Sequence, residues 1–119
     1  MRYSIQLMDG YLRAEMRGRD SAEETQQFVA AILQAVRERT ATRILISIHE
    51  SRALFKVEDW KFSEALEEAL RIARLKVAFI ADSKEVSMSQ EYIALIGRQK
   101  GFDFQAFGSE AEALAWLRA

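Results

Sequence analysis

Two short polar stretches hold the side chains best equipped for chemistry, His49–Arg52 and Asp82–Glu85. His49 is the only histidine. To act as a general base it needs a nucleophile or an orienting carboxylate nearby, and Glu50, Ser51 and Asp82 have the right types. The simpler reading is a strand-end histidine hydrogen-bonded to a loop, so no catalytic residue is assigned. A metal site is not expected either, because one histidine among scattered carboxylates lacks ligand spacing. With no cysteine in the chain, disulfides, zinc–thiolate sites and thiol catalysis are excluded together. The glycines are isolated and form no phosphate-cradling pattern, so no cofactor is expected.

What remains is recognition. Arg52 carries a planar fork that can hold a carboxylate or a phosphate bidentately. Asp82, Ser83 and Lys84 form a polar cluster suited to a partner or an anionic group. Ser51, Ser83 and Ser109 read first as caps or turn residues. A serine near a helix N-terminus can still bind or receive phosphate, because free amides and the helix dipole favour negative charge there.

These stretches must be placed by a scaffold, and the scaffold is legible. Arg43–Arg52 opens with an apolar, β-branched run and turns abruptly polar, as an inner strand does where it leaves the core. Leu75–Ala81 has the same form and ends in Asp82. Tyr3–Met8 and Tyr11–Arg17 alternate apolar and polar around Asp9-Gly10, which predicts a hairpin with a type I′ turn. In its second strand Leu12, Ala14 and Met16 share one face. Arg13, Glu15 and Arg17 share the other, which is expected to be wet or covered by something polar.

Ser21–Glu24 reads as a capping box opening a helix to about Arg39, with Phe28, Val29, Ile32, Leu33 and Val36 inward. A second helix is predicted over Glu58–Ala73, burying Phe62, Leu66, Ala69, Leu70 and Ala73. Ser87–Gln90 reads as another capping box, for a helix with Tyr92, Ile93 and Ile96 inward and Gly101 at its left-handed C-cap. Asp103–Phe107 is a last short strand, and Ser109–Glu112 caps a terminal helix burying Leu114 and Leu117. The order is ββαβαβαβα, an α/β fold with an antiparallel hairpin followed by β-α units on a mostly parallel sheet. At 119 residues the chain fits a single domain spanning 1–119. Ile46 is taken as the centre of the organising strand.

That order, the Asp9-Gly10 hairpin, the Ile-rich third strand and the ending Glu112–Leu117 resemble the SpoIIAA-like, or STAS/SEC14-type, family of small bacterial proteins. The resemblance covers nearly the whole chain. It implies parallel strands following one another with helices mainly on one sheet face. Anti-sigma-factor antagonists of the related STAS group carry a phosphorylated serine in an Asp-x-Ser motif after the third strand. Here His49–Arg52 occupies that neighbourhood without the motif, so the regulatory mechanism does not transfer.

Two function classes follow. The favoured one is a non-enzymatic protein-interaction or regulatory module. The alternative is a small-molecule or lipid carrier or sensor with an apolar cavity under the second helix. A net charge of −1 gives no reason to expect nucleic acid. No signal peptide or membrane-spanning run is read, so a cytoplasmic protein is expected. Leu54, Phe55, Val57 and Trp60 either cap the core or form an exposed apolar patch. A homodimer is expected, through the Arg13, Glu15 and Arg17 face or through that patch.

Overall fold

The computed structural model describes residues 1–52 and 74–119. The predicted helix over 58–73 and the patch of Leu54, Phe55, Val57 and Trp60 lie outside the described residues. The elements run β1 (Arg2–Leu7), β2 (Leu12–Arg17), α1 (Ala22–Arg39), β3 (Arg43–His49), β4 (Lys76–Ala81), α2 (Lys84–Gln99), β5 (Asp103–Ala106) and α3 (Glu110–Arg118). The five strands lie side by side in chain order. β1 pairs antiparallel with β2, and every later pair is parallel.

Successive side chains on a strand point to opposite faces, so parity sorts the core. Leu12, Ala14, Met16, Ile44, Ile48, Val77, Phe79 and Phe104 meet Phe28, Ile32 and Val36 of α1 and Val86, Ile93 and Ala94 of α2. The opposite parity gives a second cluster, in which Tyr11, Leu45 and Ala78 are covered by Ala113 and Leu117 of α3. Thus α1 and α2 share one sheet face while α3 seals the other. The charged face of β2 is partly covered by that helix. Arg13 pairs with Glu110 of α3 and with Glu15, and Arg17 stays exposed. At the far end of α3, the Lys76 ammonium donates to the Trp116 carbonyl at 2.5 Å and lies 4.5 Å from its ring.

Several expectations need correction. Only Gly10 of the hairpin pair has a positive φ, +87°, so the turn is not type I′, which needs both central residues there. α2 begins one turn earlier than the Ser87 box implies. Ser83 is its N-cap, its hydroxyl accepting from the Val86 amide at 3.2 Å. Gln90 is buried and donates to the Ile80 carbonyl at 2.8 Å, which ties the helix to β4. In this frame Tyr92 faces out, and Val86, Ile93, Ala94 and Gly97 face in. On α3, Ala113 is enclosed along with Leu117, whereas Leu114 is only partly buried.

The other caps hold. Gly101, at φ +88°, follows the end of α2. Its amide and that of Phe102 reach back to the carbonyls of Arg98 and Gly97 at 3.0 and 2.8 Å, the paired bonds of a Schellman stop. Ser21 caps α1 through the Glu24 amide at 3.3 Å. The Glu24 carboxylate reaches one residue past the cap, accepting from the Asp20 amide at 2.7 Å and meeting the N-terminal ammonium at 3.2 Å.

The Asp20 amide first, and then the ammonium, hold the Glu24 carboxyl below its ordinary pKa. A carboxyl depressed in the folded state stabilises it above the unfolded pKa and loses that contribution as pH falls through the folded value. Glu24→Gln keeps an acceptor for Asp20 but removes the charge. The variant is expected to show a shallower fall in melting temperature than the wild type on acidification below the ordinary glutamate range. Parallel melting curves in a pH series read this directly, and superimposable slopes would remove Glu24 from the acid response.

Candidate functional site

The parallel strands β2 to β5 all deliver their C-terminal ends to one edge of the sheet. There the loops after β2 and β3 are bound to each other. The Gly18 amide donates to the His49 carbonyl at 3.2 Å, and the Arg52 amide to the Arg19 carbonyl at 2.9 Å. Ser51 is the pin between them. Its hydroxyl accepts from the Arg19 amide at 3.0 Å and donates to the His49 carbonyl at 2.7 Å. The Arg19 side chain is 1% exposed and its Nη2 donates to the Arg52 carbonyl at 2.6 Å. Burial lowers the Arg19 guanidinium to a pKa of about 10, against the opposing pull of Glu24. It is therefore still cationic at neutral pH.

β4 joins through Asp82. Its amide donates to the Ile48 carbonyl at 3.3 Å, and its carboxylate accepts from the Glu50 amide at 3.1 Å. That bond holds Glu50 at φ +48°, a left-handed conformation that side-chain-bearing residues adopt only with support. His49 Nδ1 lies 3.7 Å from Asp82 Oδ2, and His49 Nε2 lies 2.6 Å from Ser47 Oγ. Arg17 reaches toward Glu50 at 3.9 Å.

Ser47, His49 and Asp82 thus stand in line as the residue types of a nucleophile, a base and an orienting carboxylate. Two features set the line apart from an acyl-transfer site. Ser47 is 1% exposed, so its hydroxyl is enclosed rather than presented at the surface. The histidine–aspartate contact is longer than a hydrogen bond. The imidazole gives the buried Ser47 hydroxyl a hydrogen-bond partner.

Of the residues singled out in the sequence, His49, Glu50, Ser51, Arg52 and Asp82 come together in this edge. Ser83 and Lys84 follow directly, as the cap and first residue of α2. Ser109 caps α3, its hydroxyl accepting from the Glu112 amide at 3.3 Å. No hydrogen bond or ion pair among the described residues links it to the His49–Asp82 group. Sequence reasoning missed Ser47 and Arg19. Period-two parity on β3 could have flagged Ser47 beside His49. The burial of Arg19 has no local signal, because it depends on two loops distant in sequence.

On the α1 and α2 side of the sheet lies an apolar cavity of about 90 Å³, walled by Met16, Phe28, Ile32, Ile44, Val77 and Phe79, with Arg19 at its margin. Among the described residues no group of three or more histidine, aspartate or glutamate side chains could hold a metal ion. No helix among them is long and apolar enough to cross a membrane.

An antiparallel hairpin leading into parallel β-strands, with helices on both faces, is the architecture of a STAS-type module. A family model described as SpoIIAA-like matches residues 11–118, nearly the whole chain. The chain belongs to the SpoIIAA-like family. No curated protein matches it.

Proposed function

We propose that this chain is a non-enzymatic regulatory or protein-interaction module, acting in the cytoplasm of a bacterium, which recognises a protein partner through the C-terminal edge of its sheet. The observation that carries the reading is the cross-bracing of that edge. Arg19, Ser51 and Asp82 use their polar atoms to fix backbone, while Arg17, Glu50, Arg52 and Lys84 remain exposed. A fixed backbone bearing exposed charges of both signs is pre-organised for reversible binding, since little ordering entropy is left to lose. Family membership supports the same class.

The carrier reading rests on the apolar cavity. The cavity expected under the 58–73 helix lies outside the described residues, and the apolar cavity of about 90 Å³ on the α1 and α2 side is the one among the described residues that a small apolar molecule could enter. Native mass spectrometry of freshly purified protein tests this. A stoichiometric co-purified small molecule would put the carrier ahead.

For the favoured reading, Arg52→Glu with Lys84→Glu reverses exposed charge without touching the bracing bonds. The expected result is that a protein captured specifically from the source cell's lysate by the wild type is captured at least tenfold less by the variant, at an unchanged melting temperature. Equal capture would move the recognition surface elsewhere, with the Phe55–Trp60 segment next in line.

A further inference from the structure

The two edges of the sheet are treated differently. β5 is four residues long, and the Arg98 side chain occupies the Phe104 carbonyl at 2.9 Å. A short strand with an edge carbonyl already taken is a guarded edge. Among the described residues β1 has no such guard. It runs for six residues, its register with β2 is unbroken by any bulge, and Arg2 is its only charged residue. Proline, the other common guard, is absent from the chain. Tyr3 is 48% and Leu7 51% exposed, although both lie on the apolar face of the sheet beside Ile5.

The hydrogen-bond phase of β1 follows from one bond. The Met8 amide donates to the Tyr11 carbonyl at 2.8 Å, and Met8 and Tyr11 continue the register that pairs Leu7 with Leu12. Antiparallel ladders alternate bonded and non-bonded pairs. Ser4 and Gln6 therefore turn their backbone groups toward β2, and Tyr3, Ile5 and Leu7 turn theirs outward.

From this we propose that β1 is the docking edge for a second copy of the chain, with two β1 strands pairing antiparallel across a two-fold axis centred on Ile5. This interface is independent of the loop surface assigned above. In this register Tyr3 lies opposite Leu7 of the partner subunit, and Ile5 opposite Ile5 of the partner subunit. All the outward backbone groups are used, and the exposed apolar side chains meet one another. On the other face Ser4 stands opposite Gln6 of the partner subunit, and Arg2 opposite Met8 of the partner subunit. No like charges oppose each other, so the edge is complementary to itself, as a two-fold contact requires. One strand pair and its flanking side chains make a small interface, so the dimer is concentration-dependent.

Two measurements test the register. Sedimentation across micromolar to near-millimolar protein should show a monomer–dimer equilibrium. Tyr3→Lys with Leu7→Lys sets like charges opposite and should weaken it at least tenfold, whereas Tyr3→Lys with Leu7→Glu sets opposite charges across the axis and should recover most of that loss. Both variants lose the same apolar contacts, including the Tyr3 ring on Phe28, so the comparison isolates the register. Independently, Ile5→Cys in this cysteine-free chain should oxidise readily to a covalent dimer, since directly opposed backbone positions fall within disulfide reach. Gln6→Cys should not. A wild type that stays monomeric throughout overturns the proposal. So does equal dimerisation of the two charge variants, or equal cross-linking at the two cysteine positions.

Discussion

Ile44→Asp is expected to abolish the cooperative melt. Ile44 is 1% exposed and sits in register between Leu12 of β2 and Val77 of β4, which are equally enclosed. The substitution forfeits about 1.5–3 kcal/mol of side-chain burial. It also leaves a carboxylate with no cation beside it in that layer, at several kcal/mol more whether the charge is kept or a proton is taken up. Against a total stability of about 5–15 kcal/mol for a domain of this kind, the two losses together remove most of the margin. Ile44→Val, which only trims a methyl group, should cost about 0.5–1.5 kcal/mol and keep the transition sharp. Circular dichroism and calorimetry on both variants check this. A native spectrum and a cooperative melt for Ile44→Asp would show that the centre of the sheet lies elsewhere.

The same residue shows how far the sequence could be read. Period-two parity puts Ile44, Ile46 and Ile48 on one face, and the apolar run identifies the strand as interior. Parity cannot tell which of the three is sealed. All three line the cavity, but Ile46, the natural choice by position, is only partly buried, while Ile44 and Ile48 are enclosed. The type and chain order of the described elements were legible because each carries its own period and most carry their own stop. The side-by-side order of the strands was implied only by the family resemblance, and the terminal helix covers the face that was expected to be open.

The start of α2 misled for a physical reason. Ser83 and Ser87 each stand one helical turn apart before a possible partner, and only the Ser87 version has the glutamine of a capping box. Gln90 was needed for something else, the carbonyl of Ile80 at the end of β4. The inward stripe is Val86, Ile93, Ala94 and Gly97, which leaves Tyr92 on the outer side of the helix. At the candidate site the residue types were legible, but their duties were not. Ser51 and Asp82 suggested ligand contact, and the structure employs both on backbone groups of neighbouring loops. Such duties depend on contacts across some thirty positions of chain, which no local pattern encodes.

Gly97→Ala is expected to destabilise the fold, against the local rule. Within a helix alanine is favoured over glycine by about 1 kcal/mol, and Gly97 lies in the last turn of α2. A methyl group there, however, would stand 2.3 Å from Cδ2 of Phe104 and 2.9 Å from two more atoms of the same ring. The ring has little room to yield. It packs edge-on to Phe79 at 5.5 Å between centroids and against Phe102 at 5.6 Å. Its own backbone carbonyl is held by Arg98. The Schellman bond from Phe102 to the Gly97 carbonyl also fixes the separation of α2 and β5. Overpacking of this kind costs about 1–3 kcal/mol, which outweighs the propensity gain. The net expectation is a loss of about 1–2 kcal/mol in a denaturant titration. Phe104→Leu removes the obstructing ring edge and carries its own cavity cost, so the double variant separates the two effects. If the close approach sets the sign, Gly97→Ala in the Phe104→Leu background becomes neutral or stabilising, with a coupling of at least about 1 kcal/mol. Strict additivity of the two substitutions, or a stabilised Gly97→Ala single variant, would mean that the helix and β5 can move apart without penalty.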